Sequence, residues 1–215
     1  MARTDTALAS RRKGTRDAEA TRGAILDAGR AEFAERGLGG GRIDAIAERA
    51  GCNKAMIYHY FGSKAALFSA VLEHNYALIR SAEAALDLSH RDPVEAVRTL
   101  VEFSFDYVAA NPEFIKLINE ENLHAGVHID AAMARKLNSP VVGTLREVLA
   151  RGAAQGVFRG DADPQQLYIS IASICYFSIA NRYTLSAIFD LPPGDALLGY
   201  RRAHVIEVIL GYLRP

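Results

Sequence analysis

The sequence predicts an all-α protein, with a small three-helix domain at the N-terminus followed by a larger helical body. Apolar residues recur at three- and four-residue intervals, and no stretch of the 215 residues has the strict alternation or β-branched density of a strand. Pro and Asp residues near positions 92–93, 163–164 and 192–195 mark joints between helices. The functional motifs are therefore expected on helices or in short turns.

The helices are predicted one after another from apolar stripes, glycines and capping residues. A first helix over about residues 18–36 places Ile25, Leu26 and Phe33 on its inner stripe and stops at Gly37. A short second helix carries Ile43, Ile46 and Ala47, a third covers 54–60, and a long fourth helix begins after Ser63 with Leu67, Phe68, Val71, Leu72 and Ile79 along one side. Later helices are expected at 93–110, 112–125, 139–156, 164–189 and 194–213.

The second and third helices with the turn between them form a predicted helix-turn-helix. Gly51 breaks the second helix, and the side-chain oxygen of Asn53 is suited to cap the third. The second helix of such a motif can enter the major groove of DNA. Because Ile57 and Phe61 point back to the first two helices, Lys54, Ala55, Tyr58 and His59 are expected to face outward.

Charge is distributed unevenly in a chain that has equal numbers of basic and acidic residues. Residues 1–64 contain 12 basic and 8 acidic residues, a net charge of +4, and the remainder contains 13 and 17, a net charge of −4. No Asp or Glu occurs between Glu48 and Glu73. A basic front that excludes acids around the predicted motif is typical of a surface that meets phosphate.

The outward side chains suggest separate roles in binding DNA. Small Ala55 allows the backbone to approach base edges, and Lys54 can donate to guanine acceptors. Tyr58 and His59 are suited to hydrogen-bond phosphates, which fix the register of the protein on DNA. Lys64 is a cation in the first turn of a helix, where the dipole favours an anion, so it is expected to help hold an external phosphate there.

Residues 21–37 (TRGAILDAGRAEFAERG) and 43–71 (IDAIAERAGCNKAMIYHYFGSKAALFSAV) closely resemble the DNA-binding domain of TetR-type, tetracycline-repressor-like regulators. The resemblance implies a homodimer that binds a palindromic double-stranded operator, with a C-terminal ligand-binding and dimerisation domain. Members of the family are usually repressors that a small organic effector releases from DNA. By position, seven residues match DNA-contacting sites of the family, and the capping Asn53 completes the predicted set: Arg42, Asn53, Lys54, Ala55, Met56, Tyr58, His59 and Lys64.

Two departures from the family pattern bear on DNA contacts. Gly41-Arg42 replaces a pair of hydroxyl residues at the start of the second helix, which removes a strong cap and adds a phosphate-binding cation. Met56 is larger than the usual residue, so base preference cannot be transferred. The operator, the effector and the choice between repression and activation are left open by the sequence.

Candidate effector residues are polar groups on apolar helices. Glu121 and Asn122 share the apolar side of their helix with Phe114, Leu117 and Ile118, and a buried carboxylate or amide needs a partner from the protein or from a ligand. Both alternatives, internal hydrogen bonding and a pocket role, stay open for these residues and for polar-tipped residues such as Tyr168 and Tyr183. The predicted effector set is Tyr107, Phe114, Ile118, Glu121, Asn122, Tyr176 and Arg182.

No cofactor, metal or catalytic group is predicted. His124 and His128 lie near Glu120 and Glu121, but no metal-ligand spacing occurs, and Glu120 falls on a helix face with Glu113 and Lys116 that is typical of solvent-exposed ion pairs. Cys52 and Cys175 imply no disulfide, and Cys52 is expected to pack as a small hydrophobe. The alternative function, a small helical ligand-binding protein or enzyme without DNA binding, lacks any nucleophile–base pair or cofactor loop.

The domain plan predicted from the sequence has three parts. Residues 1–20 form a flexible basic arm, for which a disordered tail and a minor-groove contact are equally good explanations; residues 21–66 form the DNA-binding domain, and residues 67–215 the effector-binding and dimerisation domain. The two long C-terminal helices are expected to pair with those of a second chain. The uncharged segment 165–181 is interpreted as a helix buried in protein, with no membrane association, and the protein is expected in the cytoplasm.

Overall fold

The computed structural model describes the backbone of residues 2–190 and 195–215. It describes the side chains of the same residues, apart from those of 2–16, 136–139 and 195–196. The described residues form ten α-helices and one short 3-10 helix without any strand, so the all-α prediction is confirmed. The α-helices are α1 Ala2–Gly40, α2 Ile43–Arg49, α3 Lys54–Phe61, α4 Lys64–Ala84, α5 Pro93–Ala110, α6 Pro112–Leu123, α7 Ala131–Ala154, α8 Pro164–Ala180, α9 Arg182–Phe189 and α10 Asp195–Leu213.

The chain divides into two compact units. The first unit comprises Met1–Asn75 and Lys116–Asp130, and the second comprises Tyr76–Ile115 and Ala131–Pro215. Helices α4 and α6 each contribute residues to both units, because the divisions fall inside them. The first unit therefore includes residues 116–130, which are distant in sequence from the rest of that unit.

The core of the first unit is built from the predicted apolar stripes. Five of these core residues are at most 1% exposed: Ile25 and Phe33 of α1, Ile57 of α3, and Leu67 and Phe68 of α4. The rings of Phe33 and Phe68 meet edge to face with centroids 5.3 Å apart. This packing, in which each helix buries one stripe, determines which side of α3 is left for solvent.

The core of the second unit is formed mainly by α5, α7, α8 and α10. In α8 the buried residues are Leu167, Ile171, Cys175 and Ile179, together with Ser178. Among the described residues, no helix is both long and apolar enough to cross a membrane. The uncharged segment that could have suggested a membrane span thus packs one side against protein.

The first helix differs from its prediction at the N-terminal end. α1 begins at Ala2, so residues 2–20, where a flexible arm was expected, continue the helix. The basic side chains of this segment are not among those that the structure describes: Arg3, Arg11, Arg12, Lys13 and Arg16. At the other end, Gly37 has φ 68° and ψ 176°, which interrupts the helical geometry where a stop was predicted.

The predicted helix at 164–189 is in fact two helices, α8 and α9, separated at Asn181. The side-chain amide of Asn181 donates to the carbonyl of Phe177, and its own carbonyl accepts from the hydroxyl of Thr184. Asn side chains compete in this way with the backbone bonds that continue a helix. The joint predicted at 192–195 lies largely outside the described residues.

Candidate nucleic-acid interface

Helix α3 is bounded by two residues whose local chemistry was visible in the sequence. Asn53 is the N-cap, and its Oδ1 accepts a hydrogen bond of 2.9 Å from the backbone N–H of Met56. Gly62 ends the helix with φ 76°, and its N–H donates to the carbonyl of Tyr58 at 2.8 Å. The two bounds hold α3 to eight residues.

The orientation of α3 leaves the predicted DNA-contacting side chains in solvent. Ile57 is 1% exposed and packs in the core, whereas Tyr58 is 49% exposed. Lys54, Ala55 and His59 are also exposed, and Met56 is half-buried. The outward face of α3 is therefore a small patch with a cation, a phenol and an imidazole around an alanine, which suits contact with phosphates and base edges.

Lys54 has an acidic partner that sequence reasoning missed. Its ammonium forms an ion pair with Asp44 in the first turn of α2. Both side chains of the pair are exposed to solvent, so the ion pair contributes little to the stability of the fold. Asp44 orients Lys54 in the free protein and must be exchanged for a base or phosphate acceptor if Lys54 binds DNA. A ten-residue separation across a turn gives no sequence signal for this pair.

Lys64, at the start of α4, also has an internal partner. Its Nζ donates a 3.0 Å hydrogen bond to the carbonyl of Gly39, in the last turn of α1. Ser63 caps α4 as predicted, since its Oγ accepts from the backbone N–H of Ala66 at 3.0 Å. The unusual cation in this first turn thus has a structural explanation besides the expected phosphate contact.

Arg42 precedes α2 and is exposed, but its backbone is held by a buried carboxylate that was not singled out from the sequence. Glu32 of α1 is 2% exposed, and its Oε1 accepts the N–H of Arg42 at 3.0 Å and lies 3.4 Å from Nε of Arg36. Arg42 makes no side-chain cap, in agreement with the loss of the usual hydroxyl there. Glu32 satisfies the N–H of the N-cap residue itself, which is a different donor from the first-turn N–H groups that a hydroxyl cap would serve.

The environment of Glu120 differs from the one predicted from the sequence. Glu120 was expected in solvent-exposed ion pairs, yet its side chain is only 19% exposed and its Oε1 accepts the backbone N–H of Leu38 at 2.7 Å. A Cβ placed on Gly37 would come within 2.8 Å of the same oxygen and would displace this carboxylate, and the positive φ of Gly37 is one that other residues rarely adopt. Glu120 of α6 therefore holds the segment that leads from α1 into the helix-turn-helix.

The two neighbours of Glu120 also have definite environments. Glu121 is 2% exposed, and its two oxygens accept the backbone N–H of His128 and contact Nδ1 of the same residue, both at 2.7 Å. Of the two alternatives for Glu121, the structure shows internal hydrogen bonding. Asn122 was placed on the apolar side of α6, which is wrong: it is exposed, and its amide donates to the carbonyl of Ile118.

The remaining candidate effector residues are divided between the units. Tyr107 and Phe114, in the second unit, pack edge to face with ring centroids 5.8 Å apart. Tyr176 is half-buried beside the core of that unit, and Arg182 is the first residue of α9. Ile118, Glu121 and Asn122 belong to the first unit, so the predicted set does not form one site within either unit.

A buried polar cluster in the second unit was only partly anticipated. Arg80 and Glu83 of α4 form an ion pair, and Arg80 Nη1 donates to the hydroxyl of Tyr168 at 2.6 Å. The same hydroxyl lies 3.2 Å from Glu83 Oε1. Burial, together with the negative charge of Glu83, raises the pKa of Tyr168 to about 12. The three groups satisfy one another, which is the usual role of buried charges.

Cysteine and metal chemistry add nothing to the interface. Cys52 packs at the margin of the first unit's core, as expected for a small hydrophobe, and burial raises the pKa of its thiol. Within the described residues, no group of three His, Cys, Asp or Glu side chains is placed to hold a metal ion.

Comparison with known proteins extends the similarity over most of the chain. Residues 25–71 match the family model described as bacterial regulatory proteins, tetR family, and residues 93–209 match the model for a tetracyclin repressor-like C-terminal domain. The HTH-type transcriptional repressor NicS from Pseudomonas putida is 43% identical over 191 residues, which cover 87% of this chain and 90% of NicS.

Two solved structures share the fold. The transcriptional regulator SCO4942 from Streptomyces coelicolor aligns with a TM-score of 0.66 and 26% identity, covering 91% of this chain and 99% of its own. AibR, solved in complex with isovaleryl coenzyme A and operator DNA, aligns with a TM-score of 0.63 at 19% identity, covering 87% and 97%. The chain belongs to the TetR family, and it is a DNA-binding helix-turn-helix transcriptional regulator.

Proposed function

We propose that the protein acts as a homodimer on a near-palindromic operator, where it represses transcription until a small organic effector binds its second unit and weakens its hold on DNA. The observation that carries this proposal is the outward face of α3, where Lys54, Tyr58 and His59 are exposed in a stretch free of acids. The protein performs no catalysis in this role, and it acts in the cytoplasm, where the chromosome lies.

On the operator, α3 enters the major groove. Lys54 and Ala55 lie in the first turn of the helix and are assigned to base edges, because recognition helices present their N-terminal residues there. Tyr58, His59, Arg42 and Lys64 surround them and are assigned to phosphates, which set register and contribute most of the affinity. Asn53 supports α3 as its cap, and Met56, which is half-buried, limits how closely the helix approaches.

The operator contact can be tested with purified protein and a duplex selected from a random library. We expect two symmetric half-sites with centres about one helical turn, roughly 34 Å, apart, since a two-fold dimer presents two copies of α3. Fluorescence anisotropy over rising salt should show affinity falling steeply as counterions return to the phosphates. Affinity that barely changes with salt would contradict docking through phosphates.

Dimerisation is inferred from apolar side chains that α8 and α10 expose. Ile169 and Phe177 of α8 are 47% and 56% exposed, and Val208 and Tyr212 of α10 are 42% and 47% exposed. Large contiguous apolar surfaces are rare on monomers. Pairing these two helices with their copies in a second chain would cover the surface and form a four-helix bundle.

Effector control requires that the second unit influence the first, and α6 is suited to this. Its first residues, Pro112–Ile115, belong to the second unit, and its remaining residues belong to the first, where Glu120 binds the N–H of Leu38. A ligand that displaces the start of α6 would pull on this bond and on the segment leading into α2. An effector coupled to DNA binding by about 1–3 kcal/mol needs only a small preference for one arrangement.

A further inference from the structure

The geometry points to a binding site for a small organic anion in the cavity beside α9, with the guanidinium of Arg182 as the group that recognises the negative charge. The inference rests on the proposed effector control and gives it a location and a ligand class. Arg182 begins α9, immediately after the break at Asn181, and lines this cavity.

The cavity has the size and the walls of a small-molecule site. Its volume is about 390 Å³, within the 300–1,000 Å³ typical of ligand pockets. That is room for roughly a dozen non-hydrogen atoms, if each takes the ~30 Å³ of a water molecule in liquid. Five apolar residues contribute to its lining: Ala109, Pro112, Ile179, Leu197 and Leu198.

Arg182 places a positive charge in this apolar lining. Its guanidinium lies over the ring of Tyr183, with Cζ 4.6 Å from the ring centroid, and Nη2 donates to the Tyr183 hydroxyl at 2.9 Å. No acidic side chain among those described pairs with Arg182. In the same unit, Arg80 is paired with Glu83, and Arg202 is held by Asp106 at 2.8 Å.

The position of Arg182 in the cavity lining determines the ligand class. A guanidinium that lacks an acid partner in a partly apolar site favours an incoming anion, and its planar fork matches a carboxylate with two parallel hydrogen bonds. The hydroxyls of Tyr183 and Ser186 also line the cavity and can donate to the same anion. The apolar walls accept a hydrocarbon body, so an apolar carboxylate fits where a cation or a strongly polar solute does not.

The position of Pro112 connects this site with the proposed control of DNA binding. Pro112 lines the cavity and is the first residue of α6, the helix that carries Glu120. An anion in the cavity therefore contacts the first turn of the helix that holds Leu38 in the other unit.

Matched probes on the full-length protein test the site. Calorimetric titration with octanoate and benzoate should show at least tenfold tighter binding than with octanamide and benzamide, which keep the shape and lose the charge. Arg182→Gln should reduce carboxylate binding to the level of the amides. Arg98→Gln is the control, because Arg98 is in α5 of the same unit, is paired with Glu95 and is absent from the cavity lining.

A second variant tests the site independently, in case Arg182→Gln fails to fold. Ser186→Phe should fill the cavity and abolish binding of both carboxylates, with helical circular dichroism confirming that each variant is folded. Equal binding of acids and amides, no binding of any of the four probes, or equal losses for Arg182→Gln and Arg98→Gln would overturn the site.

Operator affinity measured in parallel separates the two proposals. If the free protein binds its operator but no probe binds, the anion site fails and DNA binding stands. If octanoate binds through Arg182 but operator affinity is unchanged, the site stands and its role as the effector site fails.

Discussion

The two surfaces that this protein exposes on its functional helices differ in chemistry. The outward face of α3 has Lys54, Tyr58 and His59, whereas the outward faces of α8 and α10 have Phe177 and Val208 among other large apolar residues. Both regions bury an apolar stripe toward their own core, as any amphipathic helix does. What a helix leaves exposed, and not what it buries, therefore indicates its partner.

The difference also predicts how permanent each contact is. The charged groups of α3 are well hydrated in the free protein, so that surface is stable alone and its partner can leave. Apolar surface on α8 and α10 gains roughly 25 cal/mol for each Å² removed from water, so a free second unit is unfavourable. We expect dimerisation to be constitutive and DNA binding to be reversible and dependent on salt.

The largest effect is expected from a charge on the apolar surface. Phe177→Glu should prevent pairing of α8 and α10, because burying an unpaired carboxylate at the interface is strongly unfavourable. The variant should have a light-scattering mass of 23.4 kDa at micromolar concentration. Operator affinity should fall by about 10²-fold or more, since the two recognition helices then bind independently.

The control for this variant is Ala150→Glu, at an exposed position of α7 in the same unit. It adds the same charge away from α8 and α10 and should leave both mass and operator affinity unchanged. A dimeric mass for Phe177→Glu would show that chains associate through another surface.

A smaller effect is expected from the polar surface. Lys64→Ala and Tyr58→Phe should weaken binding to all operator sequences alike, because both side chains are assigned to phosphates. For Lys64→Ala we expect roughly a tenfold loss and a salt slope lower by about one, measured by anisotropy over a salt series. Lys54→Ala should instead change which bases are preferred at one position of each half-site.

Lys116→Ala is the matched control, since Lys116 is an exposed cation of the first unit on α6. It should leave both the affinity and the ranking of operators unchanged. If Lys64→Ala alters the ranking, its assignment to phosphate is wrong, and the hydrogen bond to Gly39 becomes its main role.

The smallest effect is expected from the hydrogen bond between Glu120 and Leu38 within the first unit. Glu120→Ala should lower operator affinity only a few-fold, but it removes the acceptor of the Leu38 N–H, whose loss costs about 1–3 kcal/mol if the group stays unsatisfied. Amide hydrogen exchange at Leu38 should accelerate, and Glu120→Gln, which keeps a carbonyl oxygen, should preserve its protection. Unchanged exchange in Glu120→Ala would show that this bond does not hold the segment.

Much of the first unit could be predicted because its signals are local. The caps Asn53 and Ser63 act on amides three residues away, and Gly62 ends α3 through its own backbone conformation. The outward direction of Lys54 and Tyr58 follows from helical periodicity once Ile57 is assigned to the core. Even so, the residues predicted to contact DNA stay predictions until an operator complex is measured.

Contacts that have no local signal could not be predicted from the sequence. The acceptor Glu120 and the donor Leu38 are 82 positions apart, so periodicity on α6 alone suggested solvent exposure. Glu121 is paired because the chain reverses after α6, where Ala125 and Gly126 have positive φ, and His128 returns to it. Asn122 follows the buried Glu121 but lies on the solvent side of α6, next to Leu123, which is 82% exposed.

The sequence by itself determined most of the helices, the caps Asn53 and Ser63 and the family resemblance, because capping, turn geometry and apolar periodicity are properties of neighbouring residues. Only the tertiary structure decided which polar groups are satisfied and which remain available. Glu120 and Arg80 found partners in distant segments, Leu38 and Tyr168, and Glu121 found His128 after the chain reversal, whereas Arg182 has no acid partner among the described residues. The physical reason is that desolvation of a charge depends on everything packed around it, and that environment is assembled from parts of the chain that are far apart in sequence.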